Sequence, residues 1–322
     1  MTPAREVRAA RLVEHERPLE IDEVELAIPA DGEVVVEMAY GGVNPVDRYV
    51  VQGRVAPDGP LPRTPGVEGV GRVEGRLVAL HGAGLGTTRD GTWASAAVVA
   101  SEALVDVPEG VDPAAAAAMG VAGCTAWRTV TEWAEVRPDD RVLVLGASGG
   151  VGSMIVSLVQ SVGATVWGQT GHASKTPLVE ESGAGKAVVV DDAGRLAEAL
   201  GGVGGLRPTV VFDPLGDGFT GAAVEVLEPR GRLVVFGTSA GAEGRVPIQA
   251  LYRKGLRVLG YGGLSEPPDA LRRGIESALH ALADGRLRVR VDLRAPLEEV
   301  NEALGRLERR EVSGKIVLEL GS

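Results

Sequence analysis

The sequence predicts an α/β chain in which a β-rich module is joined to a doubly wound parallel sheet. Three observations carry this. The apolar run Arg141-Val142-Leu143-Val144-Leu145 turns on Gly146-Ala147-Ser148-Gly149-Gly150-Val151-Gly152 and passes directly into the helix-like pattern of Ser153–Val159. From there to about Leu259, strand-like and helix-like runs alternate. The first hundred residues instead read as short strands punctuated by Gly and Pro.

In order along the chain, Glu33–Ala39 is a strand, and Gly69–Leu80 is two strands joined at Glu74-Gly75. Ala96–Ala100 is another. The texture changes at Asp112-Pro113, where Asp can cap and Pro can open a helix through the alanine run. Val142–Leu145, Thr165–Trp167, Ala187–Val190, Val210–Phe212 and Leu233–Phe236 supply parallel strands, with a helix near Pro177–Ser182 and a late strand over Arg257–Tyr261. After a Pro-marked loop come helices near Ala270–Ala283 and Leu297–Arg309, then a final strand over Lys315–Leu320.

A length of 322 residues suits two domains, and 44% hydrophobic with 24% charged residues suits a soluble protein with a large core. A net charge of −11 argues against nucleic acid or an anionic membrane as partner, since both select clustered Lys and Arg. No run of about 18 apolar residues is present to span a bilayer. Met1-Thr2-Pro3-Ala4-Arg5-Glu6 begins no secretory pattern. The single cysteine, Cys124, excludes an internal disulfide framework and fits a reducing cytoplasm.

A strand, a glycine turn and a helix in succession form a dinucleotide-binding unit. Glycines let the backbone approach a pyrophosphate, which sits on the exposed N–H groups of the helix N-terminus. Ser148, Gly149, Gly150, Val151 and Gly152 are the expected contacts. An NAD-preferring site usually ends its second strand with Asp or Glu, but no acidic residue occurs between Asp140 and Glu180. The strand runs instead into Thr170-Gly171-His172-Ala173-Ser174-Lys175, where Thr170, Ser174 and Lys175 suit a 2′-phosphate. The expected cofactor is NADPH. Asp191 and Asp192, after the third strand, weigh against that preference.

With these residues in view, the chain resembles the medium-chain dehydrogenase/reductase superfamily, in its zinc-independent quinone oxidoreductase branch. Gly42-Val43-Asn44-Pro45-Val46-Asp47, Pro65–Gly71, the Ala147–Gly152 turn, Phe236-Gly237-Thr238 and Ser313–Leu318 occur in the family's order. The resemblance implies a GroES-like catalytic domain over 1–118 and 262–322 around a Rossmann NADPH-binding domain over 119–261. Substrate would react in the cleft between them, in a cytoplasmic homodimer paired through the late strand.

Zinc-dependent relatives carry Cys and His ligands where this chain has Asn44 and Val67. The four histidines, His15, His81, His172 and His280, lack metal-ligand spacing, so no metal is expected. The resemblance places Asn44 near nicotinamide and substrate, and Tyr49 in the cleft as a hydrogen-bond or proton donor. Asn44 reads equally well as an Asn-Pro turn residue, and Tyr49 as a packed aromatic. Thr125 resembles a helix-start residue beside the cofactor, Phe236, Gly237 and Thr238 a loop over the nicotinamide, and Lys315 a basic residue near the phosphates, although Gly314-Lys315 reads equally well as surface turn chemistry. Asp47 reads as a turn acceptor, Cys124 as a buried filler and Trp127 as packing, while His81, after a strand end, reads as a solvated loop residue or as one that approaches the cleft.

The function this implies is NADPH-dependent, zinc-free hydride transfer to a quinone or α,β-unsaturated carbonyl. One alternative is an enoyl-thioester reductase of polyketide or fatty-acid metabolism, with Arg48 and Arg54 supplying positive charge. Another is an NADPH-binding sensor, structural or non-redox protein without turnover.

Overall fold

The computed structural model describes residues 5–321, so the reading of the start at Met1–Ala4 lies outside the described residues. Along the chain come β1 (Glu6–Arg11), β2 (Glu20–Glu25), β3 (Glu33–Val43), β4 (Glu68–Val73), β5 (Arg76–His81), β6 (Ala96–Ala100) and β7 (Leu104–Asp106). Then follow β8 (Arg141–Val144), β9 (Thr165–Thr170), β10 (Lys186–Val189), β11 (Val210–Asp213), β12 (Arg232–Val235) and β13 (Arg257–Gly260). β14 (Val291–Pro296) and β15 (Lys315–Glu319) complete the described strands.

One compact unit takes the chain up to Cys124, Leu264–Ala283 and the stretch from Val289 on. This is the GroES-like unit. β1 and β2 pair antiparallel, and the main sheet runs β14-β15-β3-β4-β5-β7, with β6 on the first half of β3. Only β14 and β15 run parallel in it. The β4–β5 hairpin turns on Glu74 and Gly75, whose φ values of 50° and 83° match the tight turn that favours strand twist. Alternation on β3 sends Val36 and Met38 inward and Glu37 outward. They join Val78, Leu80, Val99, Ile316 and Leu318 in one core.

Trp93 is the anchor of that core. Its ring is fully buried and its Nε1 donates to the Gly42 carbonyl at 3.1 Å. A Cβ added at Gly41 or Gly66 would lie 2.7 or 2.5 Å from Trp93 Cδ1, so the indole lies against two backbones that carry no side chain.

Register then determines which polar residues meet. β15 pairs with β3 so that Ile316 faces Val43, which brings Lys315 beside Asn44. Glu68 opens β4 opposite His81, the last residue of β5.

The other unit comprises Thr125–Gly263 and Asp284–Arg288. Its six strands are all parallel, in the order β10-β9-β8-β11-β12-β13. Counted within the unit this is 3-2-1-4-5-6, the doubly wound Rossmann order, which reverses between β8 and β11. Val142–Leu145 is buried on both faces, as a central parallel strand must be. The helix Gly150–Val162 stops at Gly163, whose φ of 87° suits glycine.

The structure corrects several boundaries. Asp284–Arg288, expected with the catalytic domain, packs with the Rossmann unit: Arg288 donates from its N–H to Ser157 Oγ at 3.0 Å, and Arg286 lies over Trp127. Residues 119–124 belong to the GroES-like unit instead. The helix opened by Asp112 and Pro113 lasts one turn, to Ala116, before a wider turn over Met119–Gly123. β1, β2, β7 and β14 are additions to the sequence reading. β2, Glu-Ile-Asp-Glu-Val-Glu, lacks an apolar face strong enough to announce a strand. No helix among the described residues is long and apolar enough to cross a membrane.

Gly66 has a φ of 98° besides its contact with Trp93. Gly66→Ala therefore combines backbone strain with overpacking, and chemical denaturation should show a loss of at least about 2 kcal/mol. A loss within about 0.5 kcal/mol, the range of neutral surface changes, would mean that Trp93 yields easily.

Candidate active site

At the meeting of β3, β4 and β15 lies a buried cluster of polar side chains. Asn44 precedes the helix Pro45–Val51, which Pro45 opens. One turn on, the Asp47 carboxylate accepts the N–H of Asn44 at 2.8 Å and that of Val67 at 3.0 Å. It therefore holds two backbone segments together, as a turn acceptor would. Glu68 Oε1 accepts from Asn44 Nδ2 at 2.6 Å and from Lys315 Nζ at 3.0 Å, while Oε2 accepts the Val121 N–H at 2.6 Å. Lys315 Nζ also donates to Asn44 Oδ1 at 2.5 Å and to the Val43 carbonyl at 3.3 Å. A Cβ on Gly42 would lie 2.3 Å from Glu68 Oε1, so glycine there makes room for the carboxylate.

Lys315 does not match the expectation of a phosphate ligand. Its ammonium has three hydrogens, and three oxygens of its own unit take them at a site only 4% exposed. The same contacts settle the Asn44 amide. A cation fixes Oδ1 and a carboxylate fixes one Nδ2 hydrogen, which leaves the second Nδ2 hydrogen to donate elsewhere.

Two neighbouring groups are shifted by this burial. The Asp47 carboxyl is pushed up to about 7, chiefly because its charged form loses water. The N–H bonds from Asn44 and Val67 and the Lys315 charge pull the other way, while the Glu68 charge adds to the rise. His81 is the second, and here too the sequence reading is corrected. It is buried rather than solvated, its Nδ1 lies 2.7 Å from the Val67 carbonyl, and loss of water holds its imidazole below the usual range. His81 and Val67 line a cavity of about 370 Å³ within this unit, walled by Leu85, Val105, Leu271 and Ile275.

Tyr49 lies half-buried on the helix after Asn44, with the guanidinium groups of Arg48 and Arg54 at 5.4 and 4.7 Å from its ring centre. It is not among the residues lining the cavity. Cys124 is a buried filler whose thiol points to the Leu271 carbonyl.

In the Rossmann unit, the chain leaves β8 through Gly146, at φ 60°, and enters its helix at Gly150. A Cβ on Gly152 would stand 2.4 Å from the Gly146 carbonyl oxygen, so the helix can sit this close to the turn only with glycine there. Gly150, Val151 and Gly152 hold the first N–H groups of a 13-residue helix, which have no partner within a helix. Gln169 braces the turn. Its Oε1 accepts the Gly146 N–H at 2.8 Å and its Nε2 donates to the Val190 carbonyl at 2.5 Å.

The other expected residues fall around this turn and the neighbouring strand ends. Ser148 and Thr170 hydroxyls are 3.4 Å apart, and Thr170 is buried. Ser174 is exposed and Lys175 half-buried just before the helix Thr176–Glu181. Asp192 accepts the Gly194 N–H at 2.9 Å and so caps its own turn. Phe236, Gly237 and Thr238 leave β12, and a Cβ on Gly237 would lie 2.7 Å from the Pro214 carbonyl oxygen. Thr125 opens this unit's share of the chain, largely buried.

Sequence reading gave no role to Glu68 or Gln169. Glu68 stands inside the Pro65–Gly71 motif, and Gln169 is the last residue but one of the strand after which an acid was sought. Among the described residues no group of three or more His, Cys, Asp or Glu is placed to hold a metal ion.

The Asp47 shift has a definite sign. Its folded carboxyl titrates near 7, above the ordinary 3.8, so between those values the folded state keeps a proton that the unfolded state has lost. Its contribution to stability is present in full below about 4, falls as pH rises towards 7, and then levels. Unfolding measured at pH 5 and pH 8 should show the wild type's advantage over Asp47→Asn shrinking by on the order of a few kcal/mol. An advantage that does not change with pH would mean the carboxyl is not raised.

Family models match the chain in two places: an alcohol dehydrogenase GroES-like domain at residues 30–78 and a zinc-binding dehydrogenase at 150–279. Quinone oxidoreductase-like protein 2 of Bos taurus is 31% identical over 98% of this chain and 93% of its own length. The mitochondrial enoyl-[acyl-carrier-protein] reductase of Xenopus tropicalis is 28% identical over 90% of this chain and 89% of its own. Among solved structures, an NAD-dependent alcohol dehydrogenase matches with TM-score 0.89 at 26% identity, covering 98% of this chain and 100% of that one. A mycobacterial protein complexed with NADPH has the same fold, with TM-score 0.84 at 24% identity over 97% of this chain and 99% of its own. The chain belongs to the medium-chain dehydrogenase/reductase superfamily of nicotinamide-dependent oxidoreductases, with the quinone oxidoreductase-like proteins among its relatives.

Proposed function

We propose that this chain reduces quinones or α,β-unsaturated carbonyls with NADPH and without a catalytic metal. The observation that carries the cofactor reading is the β8 turn. Gly152 keeps its helix within contact distance of the Gly146 carbonyl, and three helix-end N–H groups remain for a pyrophosphate. The end of β9 supports the phosphate form. Gln169 and Thr170 are buried there in place of a carboxylate, and Ser174 and Lys175 follow on the loop. Of the two carboxylates that weighed against NADPH, Asp192 is engaged as a cap.

When bound, the nicotinamide supplies the hydride. In the GroES-like unit, Lys315 and Glu68 hold the Asn44 amide so that its remaining N–H can donate to an oxygen of cofactor or substrate. The metal-free reading rests on the same contacts: Asn44 is occupied by an internal ion pair, and Val67 offers only a hydrocarbon side chain. Tyr49, flanked by two guanidinium groups, is the proposed proton donor to the reduced acceptor. The names of the relatives support both a quinone and an enoyl-thioester acceptor, and Arg48 and Arg54 beside Tyr49 suit the anionic carrier of the second. β13 ends its sheet, and Val258 with Ile248 and Tyr252 is exposed, which supports pairing of two copies at that edge.

The test is consumption of NADPH and NADH by the purified protein with matched quinones, enones and enoyl-thioesters. NADPH should be consumed with one acceptor class. Lys175→Ala should raise the KM for NADPH roughly ten-fold or more and leave that for NADH unchanged. Binding of NADPH without turnover on any acceptor would refute the reductase reading. Equal loss for both cofactors would refute the 2′-phosphate role.

A further inference from the structure

His81 gives the cavity of the GroES-like unit a polar atom that no other described residue bonds. Its Nδ1 faces the Val67 carbonyl at 2.7 Å, and a carbonyl oxygen only accepts, so Nδ1 carries the hydrogen. Nε2 then presents a lone pair. Among the described residues it has no hydrogen-bond partner. Nor is it sealed: among the described residues the sealed, unpartnered side-chain atoms belong to His15, Arg48, Gln52, Arg63 and Arg232. His81 is 7% exposed, and the open space beside it is the cavity.

Val67, Leu85, Val105, Leu271 and Ile275 give it an apolar wall beside His81, and Thr87, Thr88, Glu102, Glu266 and Arg272 are the polar side chains of its lining. A volume of about 370 Å³ lies within the range of small-molecule sites and suits a two-ring molecule. A ligand that only accepts hydrogen bonds, such as a plain quinone, would leave Nε2 without a partner in an apolar pocket. A ligand with a hydroxyl would satisfy it, and sites built around a buried polar atom discriminate against analogues that cannot pair with it.

We propose that this cavity selects acceptors that carry a free hydroxyl, such as a phenolic enone or hydroxylated quinone, whose O–H donates to His81 Nε2. This rests on the reductase reading for the word acceptor. The binding itself can be measured without turnover.

The probes are 6-hydroxy-1-tetralone and its methyl ether, 6-methoxy-1-tetralone, titrated calorimetrically into the full-length protein at pH 6.5 with no nicotinamide added. The wild type should bind the phenol roughly ten-fold more tightly than the ether. His81→Asn keeps an amide N–H for the Val67 carbonyl and removes the Nε2 acceptor, since its own Oδ1, on a shorter side chain, does not reach the position of Nε2. It should bring the ratio close to one while leaving the affinity for the ether as it was. A wild-type ratio near one overturns the proposal without any variant, and a ratio that persists in His81→Asn overturns it as well. Failure of the reductase reading would appear only in the turnover assay, since these titrations contain no hydride donor.

Discussion

The buried ion pair between Glu68 and Lys315 is the constraint on which the GroES-like unit depends. It joins residues 247 positions apart and fastens the last strand of the chain against β3 and β4. Two opposite charges at this depth hold only because nearly every remaining lone pair and proton is matched. Glu68 takes three donors and Lys315 finds three acceptors. The glycine at 42, the orientation of the Asn44 amide and the Val121 N–H contact all follow from accommodating this pair. Asp47, beside it, forms no salt bridge among the described residues, and loss of water pushes its carboxyl up to about 7.

What could be read from the sequence was what depends on near neighbours in the chain. The β8 turn declared itself because a strand, a glycine turn and a helix need adjacent residues. Glu74-Gly75 and Asp112-Pro113 did so for the same reason, as turn and cap chemistry is set within a few positions. That the later strands form a parallel, doubly wound sheet followed from alternation, whereas their order is set by the crossovers. The Asn-Pro turn at Asn44, with Asp47 as its acceptor, was visible for the same local reason.

Long-range register could not be read in this way. Lys315 looked like a surface or phosphate-binding residue because nothing near Ser313–Leu318 shows that Ile316 will face Val43. His81 looked solvated because its neighbours are glycines. Pairing with Glu68 across β4 and β5 buries it. Gln169 was passed over because its role depends on reaching both Gly146 and Val190, which belong to different strand ends. In each case the residue type was visible and its partners were not.

The most direct measurement is the unfolding energy and NADPH affinity of Lys315→Met. Leaving Glu68 charged and unpaired in the core should cost about 3–5 kcal/mol, and adding Glu68→Gln should recover much of it. Folded Lys315→Met should still bind NADPH with an affinity close to that of the wild type, because the ammonium is spent on protein oxygens. Wild-type stability together with markedly weaker NADPH binding would contradict this and return Lys315 to the phosphates.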